Sequence, residues 1–225
     1  EVIPHALEQV RKVTDAASRA KFEKAWGVEG LTDKVGLMIP RMMEGLPTKK
    51  VRGFYIFGEN LANTEPNITK VEHELSSAEF LVCQDIFQTE TTRFAHVVLP
   101  AAAWSENEGT FSNSERRVSR VRTASPAPGQ AKPNWWIFRE IARRMGHHWP
   151  SESAAEIWDN EISVLAPSLA GIKYHRLEGD GLQWPCTADT PEGTPIMHID
   201  RFVRGQGYFA LTEFVPTEER TGPRF

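Results

Sequence analysis

The chain has 225 residues, a formal net charge of −4 and 40% hydrophobic residues, enough for one large domain or one domain with part of a second. The acidic balance argues against a protein devoted to nucleic acid or membrane surfaces, which need a net basic footprint. The longest apolar runs, residues 54–57 and 95–103, fall short of the roughly 20 residues of a membrane helix, and no secretory signal opens the sequence, so a soluble cytoplasmic protein is expected. Two distant cysteines, Cys83 and Cys186, exclude a disulfide framework and any iron–sulfur or zinc site built by this chain alone.

In chain order, Asp15 is placed to cap a helix running through Ala25 and Trp26 and stopped by Gly27. Leu37, Ile39, Met42 and Met43 suggest a second helix, the methionines reading as packing. Residues 49–57 look like a charged lead into a buried strand that empties into Gly58, Glu59 and Asn60. Asn67 then caps a helix whose Ile68, Val71, Leu75 and Ala78 stand 3, 4 and 3 apart on one face. Residues 80–84, with Cys83 as a small buried hydrophobe, form a second strand, residues 89–94 a short polar helix, and residues 96–99 a third strand.

This alternation predicts a doubly wound, mostly parallel α/β sheet with right-handed crossovers. Ligands bind such sheets outside the carboxyl ends of the strands. That rule brings three segments to one edge: Gly58 to Asn60, Gln84 with Asp85, and residues 100–103. Asn60 and Gln84 can donate and accept hydrogen bonds, and Thr64, four residues after Asn60, can reach the same ligand; stabilisation of the turns is the plainer role for Asn60 and Thr64. No GxxxxGK[ST] and no GxGxxG is present, so an ordinary ATP or NAD site is unsupported.

The third strand empties into residues 97–122, an irregular insert without helix or strand period, the kind of segment that carries binding groups. Within it Glu106 and Glu108 are a candidate acid/base pair, although anchoring of turns or pairing with arginines is the favoured reading. Arg116, Arg117, Arg120 and Arg122 make a basic run, read as a solvated hairpin or as a contact for phosphate or an acidic surface. Farther on, Asn134 is placed to cap a helix carrying Ile137, Phe138, Ile141 and Met145 and closed by Gly146. Ser153 and Glu156 form a capping box for another helix with Ile157, Trp158, Ile162 and Leu165. From Gly171 short strands and turns are expected, for example over residues 195–199 and 208–214. His96, His147, His148 and His198 lack metal-ligand spacing and read as structural.

The segments GENLANTEPN, FLVCQDIFQTETTRFAHVVLPAAAWSENEGTFSNSERRVSRV and PNWWIFREIARRMG together resemble the large catalytic subunit of formate dehydrogenases of the molybdopterin oxidoreductase family. The likeness runs from about residue 14 to residue 225, and GLQWPC, residues 181–186, resembles the formate dehydrogenase branch more than the nitrate reductase branch. It implies a cofactor of two pyranopterin guanine dinucleotides chelating molybdenum or tungsten. Residues 1–170 would be the later part of an α/β domain binding one guanine dinucleotide, and residues 171–225 an irregular, β-rich connector toward a C-terminal cofactor-binding domain absent from the chain. Carried over by motif, the cofactor-binding positions are Gly58, Glu59, Asn60, Thr64, Gln84, Asp85, Ala101 and Asn134. Asn60 and Asn134 are amides where acidic or hydroxyl side chains are often found, and Ala101 offers only backbone.

The family's cluster-binding cysteines, its Cys or selenocysteine metal ligand and the His and Arg that handle formate have no counterparts here, so neither a catalytic residue nor a metal ligand is assigned. The resemblance thus implies a fragment, inactive alone, of a subunit that oxidises formate to carbon dioxide. Its parent would carry a four-iron four-sulfur cluster in its N-terminal part and work with an iron–sulfur electron-transfer subunit. Neither nucleic-acid binding nor membrane insertion is expected. The alternatives are a nitrate reductase or formylmethanofuran dehydrogenase type of the same family, or a non-catalytic scaffold subunit that keeps the fold.

Overall fold

The structure, a computed structural model, describes residues 6–7, 11–199, 202 and 209–215. A short antiparallel pair, β1 (Ala6–Leu7) and β2 (Arg11–Lys12), precedes helix α1 (Ala16–Trp26). The ends of α1 follow its sequence: the Asp15 carboxylate accepts the Ser18 N–H at 3.1 Å, and Gly27 takes the left-handed conformation at φ 63°. Helix α2 (Ile39–Glu44) leads to the sheet, built from β3 (Gly53–Phe57), β4 (Phe80–Asp85) and β5 (Val97–Pro100). All three strands are parallel in the order β3-β4-β5, with no reversal of order among the described residues.

Helices α3 (Leu61–Thr64) and α4 (Ile68–Ser76) cross from β3 to β4, and a single 3-10 turn at Thr91–Phe94 joins β4 to β5. Alternation along the strands sends Ile56, Leu81 and Cys83 into one core with Met43, Leu46, Leu61, Val71 and Leu75. Leu46, Leu75 and Leu81 expose almost nothing, and burial of each contributes about 1.5–3 kcal/mol. On α4 the expected apolar face is corrected at one end. Ile68, the first helical residue, is exposed, while Glu74 is buried and its carboxyl is pushed above the ordinary range by that burial.

The opposite face of the sheet meets α5 (Asn134–Arg144), whose Phe138 ring lies 5.6 Å from Tyr55 and 5.2 Å from Phe57. Here two expectations need correction. Pro133 occupies the N-cap position and Asn134 is the first helical residue, its side chain turned away to the sheet; Met145, expected in the core, is exposed. Helices therefore cover both faces of a parallel sheet, in agreement with the expected α/β class.

Residues 97–122 are more regular than their polar sequence suggests. They contain β6 (Gly109–Ser112) and β7 (Arg117–Val121), an antiparallel hairpin joined at β7 by β8 (Leu182–Gln183). This sheet packs Val118 into a second core with Trp158, Ile172, Tyr174, Leu177 and Cys186. Ser153 caps α6 (Ala154–Ile157) by accepting the Glu156 N–H, but the expected capping box is not closed, since the Glu156 carboxylate reaches one residue too far back and accepts the Glu152 N–H. Helix α6 passes through a π-helical turn at Trp158–Ile162 into α7 (Ser163–Leu165). The Trp158 indole donates to the Ile172 carbonyl at 2.8 Å.

Beyond residue 171 the described part holds β8, a 3-10 turn at Tyr174–Leu177 and loops. The expected strand over residues 195–199 does not form, and residues 209–215 have no regular structure; Tyr208 lies outside the described residues. Phe209 and Leu211 are fully exposed there, and apolar alternation cannot hold a strand without a neighbour. No helix among the described residues is long and apolar enough to cross a membrane.

Two measurements test the packing. A Cβ at Gly53 would come within 2.6 Å of the Phe80 carbonyl oxygen across the β3–β4 pair, whereas one at Gly109 meets nothing within 4 Å. Gly53→Ala is expected to lower urea stability by about 1–3 kcal/mol, and Gly109→Ala to stay within about 0.5 kcal/mol of the wild type. Burial first, and the Asp85 carboxylate second, push the Cys83 thiol up to about 11. At pH 8 Cys83 is therefore expected to react with a thiol reagent only as fast as the sheet opens, which site-resolved mass spectrometry will read.

Candidate functional site

Each strand of the parallel sheet delivers a polar group to its carboxyl end, where ligands bind sheets of this class. After β3 the chain turns at Gly58, whose φ of 61° suits glycine and whose N–H donates to the Gln84 carbonyl at 2.9 Å. Asn60 then faces the 3-10 turn. Its Oδ1 accepts from the Thr91 N–H at 3.2 Å and the Thr91 hydroxyl at 2.8 Å, and its Nδ2 donates to Glu90 at 2.7 Å. The Glu90 carboxyl is held below its ordinary range, chiefly by that amide. Thr91, fully buried, in turn receives the Ala62 N–H on its hydroxyl at 3.0 Å. Thr64 donates to the Glu59 carboxylate at 3.0 Å and to the Asn60 carbonyl at 3.2 Å, a bond within the turn itself.

Gln84 closes the central strand with no exposed surface. Its Oε1 accepts from the Tyr55 hydroxyl and its Nε2 donates to Asn134 Oδ1 at 2.8 Å, so both poles of the amide are satisfied. Asp85 accepts the N–H groups of Ile86 at 2.7 Å and Phe87 at 3.4 Å, which fixes the turn leaving β4. Ala101 is buried, donates its N–H to the Asp85 carbonyl at 2.9 Å and forms a parallel bridge with Lys132.

The eight predicted positions thus fall into two linked groups. Gln84, Asp85, Ala101 and Asn134 surround the ends of β4 and β5; Glu59, Asn60 and Thr64 form the turn after β3, and Gly58 bonds the two together through Gln84. Sequence reasoning missed Tyr55, Glu90, Thr91 and Lys132 at this edge. Only the polar run QTETT carried a signal for Glu90 and Thr91; Tyr55 is hidden inside an apolar strand.

The acidic and basic residues of the neighbouring insert are engaged with one another, with Glu178 or with backbone. Glu106 accepts the Ala103 N–H at 2.8 Å, and Glu108 lies 3.7 Å from Arg120. Arg120 and Arg122 both bond Glu178, Arg117 bonds Glu115 at 3.0 Å, and Arg116 bonds the carbonyls of Trp184 and Thr194. A hollow of about 620 Å³ runs along this hairpin between Trp104, Phe111 and Arg120. None of the eight predicted residues lines it.

A parallel sheet flanked by helices, with amides and backbone groups gathered at the carboxyl ends of its strands, defines an α/β domain of the class that binds ligands in that crevice. The family model of the molybdopterin oxidoreductases matches residues 7–144, and the chain belongs to that family. It is 42% identical over 220 residues to the F420-dependent formate dehydrogenase 2 subunit alpha of Methanococcus maripaludis, covering 97% of this chain and 32% of that protein. It is also 40% identical over 207 residues to the F420-dependent formate dehydrogenase subunit alpha of Methanocaldococcus jannaschii, covering 91% and 30% respectively. The chain therefore spans about a third of the length of these relatives. Among solved structures, acetylene hydratase from Pelobacter acetylenicus shares the fold, with a TM-score of 0.54 and 23% identity over 80% of this chain and 26% of that one.

The hydroxyl of Thr91 is the knot of the turn after β3, since it bonds both Asn60 and the Ala62 N–H from a fully buried position. Thr91→Val keeps the shape and removes both bonds. A loss of about 1–3 kcal/mol is expected in denaturant unfolding, with faster amide exchange at Ala62.

Proposed function

We propose that this chain is the part of a formate dehydrogenase large subunit that holds one guanine dinucleotide arm of a bis(pyranopterin guanine dinucleotide) centre. Membership of the molybdopterin oxidoreductase family implies a molybdopterin cofactor carrying molybdenum or tungsten. The observation that carries the more specific reading is the 42% identity, over nearly the whole chain, to a formate dehydrogenase alpha subunit.

The residues fit an extended polar ligand. The first N–H groups of α5, an eleven-residue helix, point out of its amino end and suit a phosphate. The amino group of Asn134 and the carboxylate of Asp85 supply a donor and an acceptor for a purine edge. Gly58 leaves open space where a side chain would stand, so backbone can approach the ligand closely. Asn60 and Thr64 shape the turn that borders the arm, through Thr91 and Glu59. We read residues 1–170 as the dinucleotide-binding unit and residues 171–225 as the connector, anchored at its start by Ile172, Tyr174 and Leu177 in the second core.

When bound, such a metal–pterin centre would supply the two-electron oxidation of formate to carbon dioxide and a proton, with the electrons leaving through an iron–sulfur relay in the rest of the enzyme. The share of this chain is binding and orientation. Its two cysteines are buried, one in each core, and on this reading metal ligation and formate handling belong to other parts of the full-length subunit.

The test uses the full-length subunit in its complex. Acid hydrolysis is expected to release GMP in about two equivalents per metal, and formate is expected to reduce a viologen dye. Asn134→Asp, which keeps the oxygen that accepts from Gln84 and removes the amino group, is expected to lower GMP content while leaving the unfolding midpoint nearly unchanged. A protein holding metal and pterin without GMP would overturn the dinucleotide reading, and nitrate-dependent oxidation of the reduced dye without formate activity would overturn the substrate.

A further inference from the structure

The buried amide of Gln84 links two groups that are far apart in sequence. Tyr55 lies on β3, its ring against Phe138 and partly exposed, yet its hydroxyl reaches inward and donates to Gln84 Oε1. The other pole of the same amide, Nε2, donates to Asn134 Oδ1 at 2.8 Å. Gln84 itself is fully buried and has no water to turn to. A primary amide in that position has two orientations related by a half-turn, and what bonds one end decides what the other end offers. With the Tyr55 hydroxyl donating to its oxygen, Gln84 presents its amino group to Asn134; the flipped amide would need the hydroxyl to accept and Asn134 to turn with it, so the three groups are set together. Asn134 is then held by its oxygen, and its own amino group, at the amino end of α5, is left uncommitted to Gln84.

We propose that Tyr55 is a positioning residue for the dinucleotide arm: its hydroxyl fixes Gln84, and Gln84 fixes the direction in which Asn134 offers its amide to the ligand. This rests on the reading of Asn134 as a residue of the arm. The chain of bonds has a physical reason to be rigid. Removing the hydroxyl strands one pole of a fully buried amide in either orientation, so nothing holds Gln84 in the orientation that accepts from Tyr55, and it is free to turn with Asn134 or to release it.

The experiment is a double-mutant cycle on the full-length holoenzyme, with Tyr55→Phe, Asn134→Ala and the pair. The readout is the rate at which the protein loses GMP-yielding cofactor during gel filtration in mild urea, with the unfolding midpoint measured alongside. Each single variant is expected to lose cofactor about three- to tenfold faster than the wild type, the size of one ordinary hydrogen bond. The double variant is expected to be no faster than Asn134→Ala alone, because the hydroxyl acts only through Asn134. A general loosening of the sheet would make the two effects add and would move the unfolding midpoint in parallel. Additive losses, or loss in Asn134→Ala with none in Tyr55→Phe, would overturn the relay while leaving the arm in place. No change in Asn134→Ala, or no GMP in the wild type, would overturn the underlying reading of the arm and the relay with it.

Discussion

The register between β3 and β4 is the constraint from which the rest of the sheet follows. It sets Ile56 beside Cys83 and Phe57 beside Gln84, so the apolar pair turns to the core under α4 and the amide turns to the face under α5. Side chains alternate along a strand, and a slip of one residue would exchange the two faces. Gln84 would then enter a dry core among Val71 and Leu75 with nothing to bond, while Cys83 would stand opposite Asn134. The contact of Gly53 with the Phe80 carbonyl pins the same register at the amino end, where only a residue without a side chain fits.

Once the register is fixed, the polar groups at the carboxyl ends have little freedom. Gln84 has Tyr55 on one side and Asn134 on the other; Asn60 has both Thr91 and Glu90. The edge is preorganised by bonds that the protein makes with itself, and a ligand arriving there meets amides already oriented. That arrangement suits an enzyme whose reactive chemistry belongs to its cofactor and whose protein supplies orientation.

Much of this was legible in the sequence where a physical rule acts over a few residues. Asp15 and Gly27 bound α1, Asn67 caps α4, and the three apolar runs are three parallel strands. Long-range partners were not legible. The residues around Asn134 carry the signature of a helix cap, but Pro133 takes that place and the amide turns to a glutamine fifty positions earlier, which no local pattern announces. The hairpin of β6 and β7 was expected only as a solvated one, and its packing through Val118 into the second core was not legible, for a different reason. Of its apolar residues Val118 is buried and Phe111 is exposed, so the alternation that marks a strand is too weak to read through the surrounding charges. What sets the hairpin in place lies outside it: β8 on one edge and the carbonyls of Trp184 and Thr194 gripping Arg116. The insert therefore reads as a wall beside the strand ends, with its arginines spent on neighbouring carboxylates and carbonyls.

The two apolar cores share no residue. One holds the parallel sheet with α4, the other the hairpin with the segment around Trp158 and Tyr174, and the bonds of Ala101 and Ala102 to Lys132 lie between β5 and the start of α5. Cooperative opening follows shared packing, so such a chain breathes as two blocks. The strand ends therefore owe their alignment to one block alone, and damage confined to the second core need not reach the hydrogen bonds of the central strand.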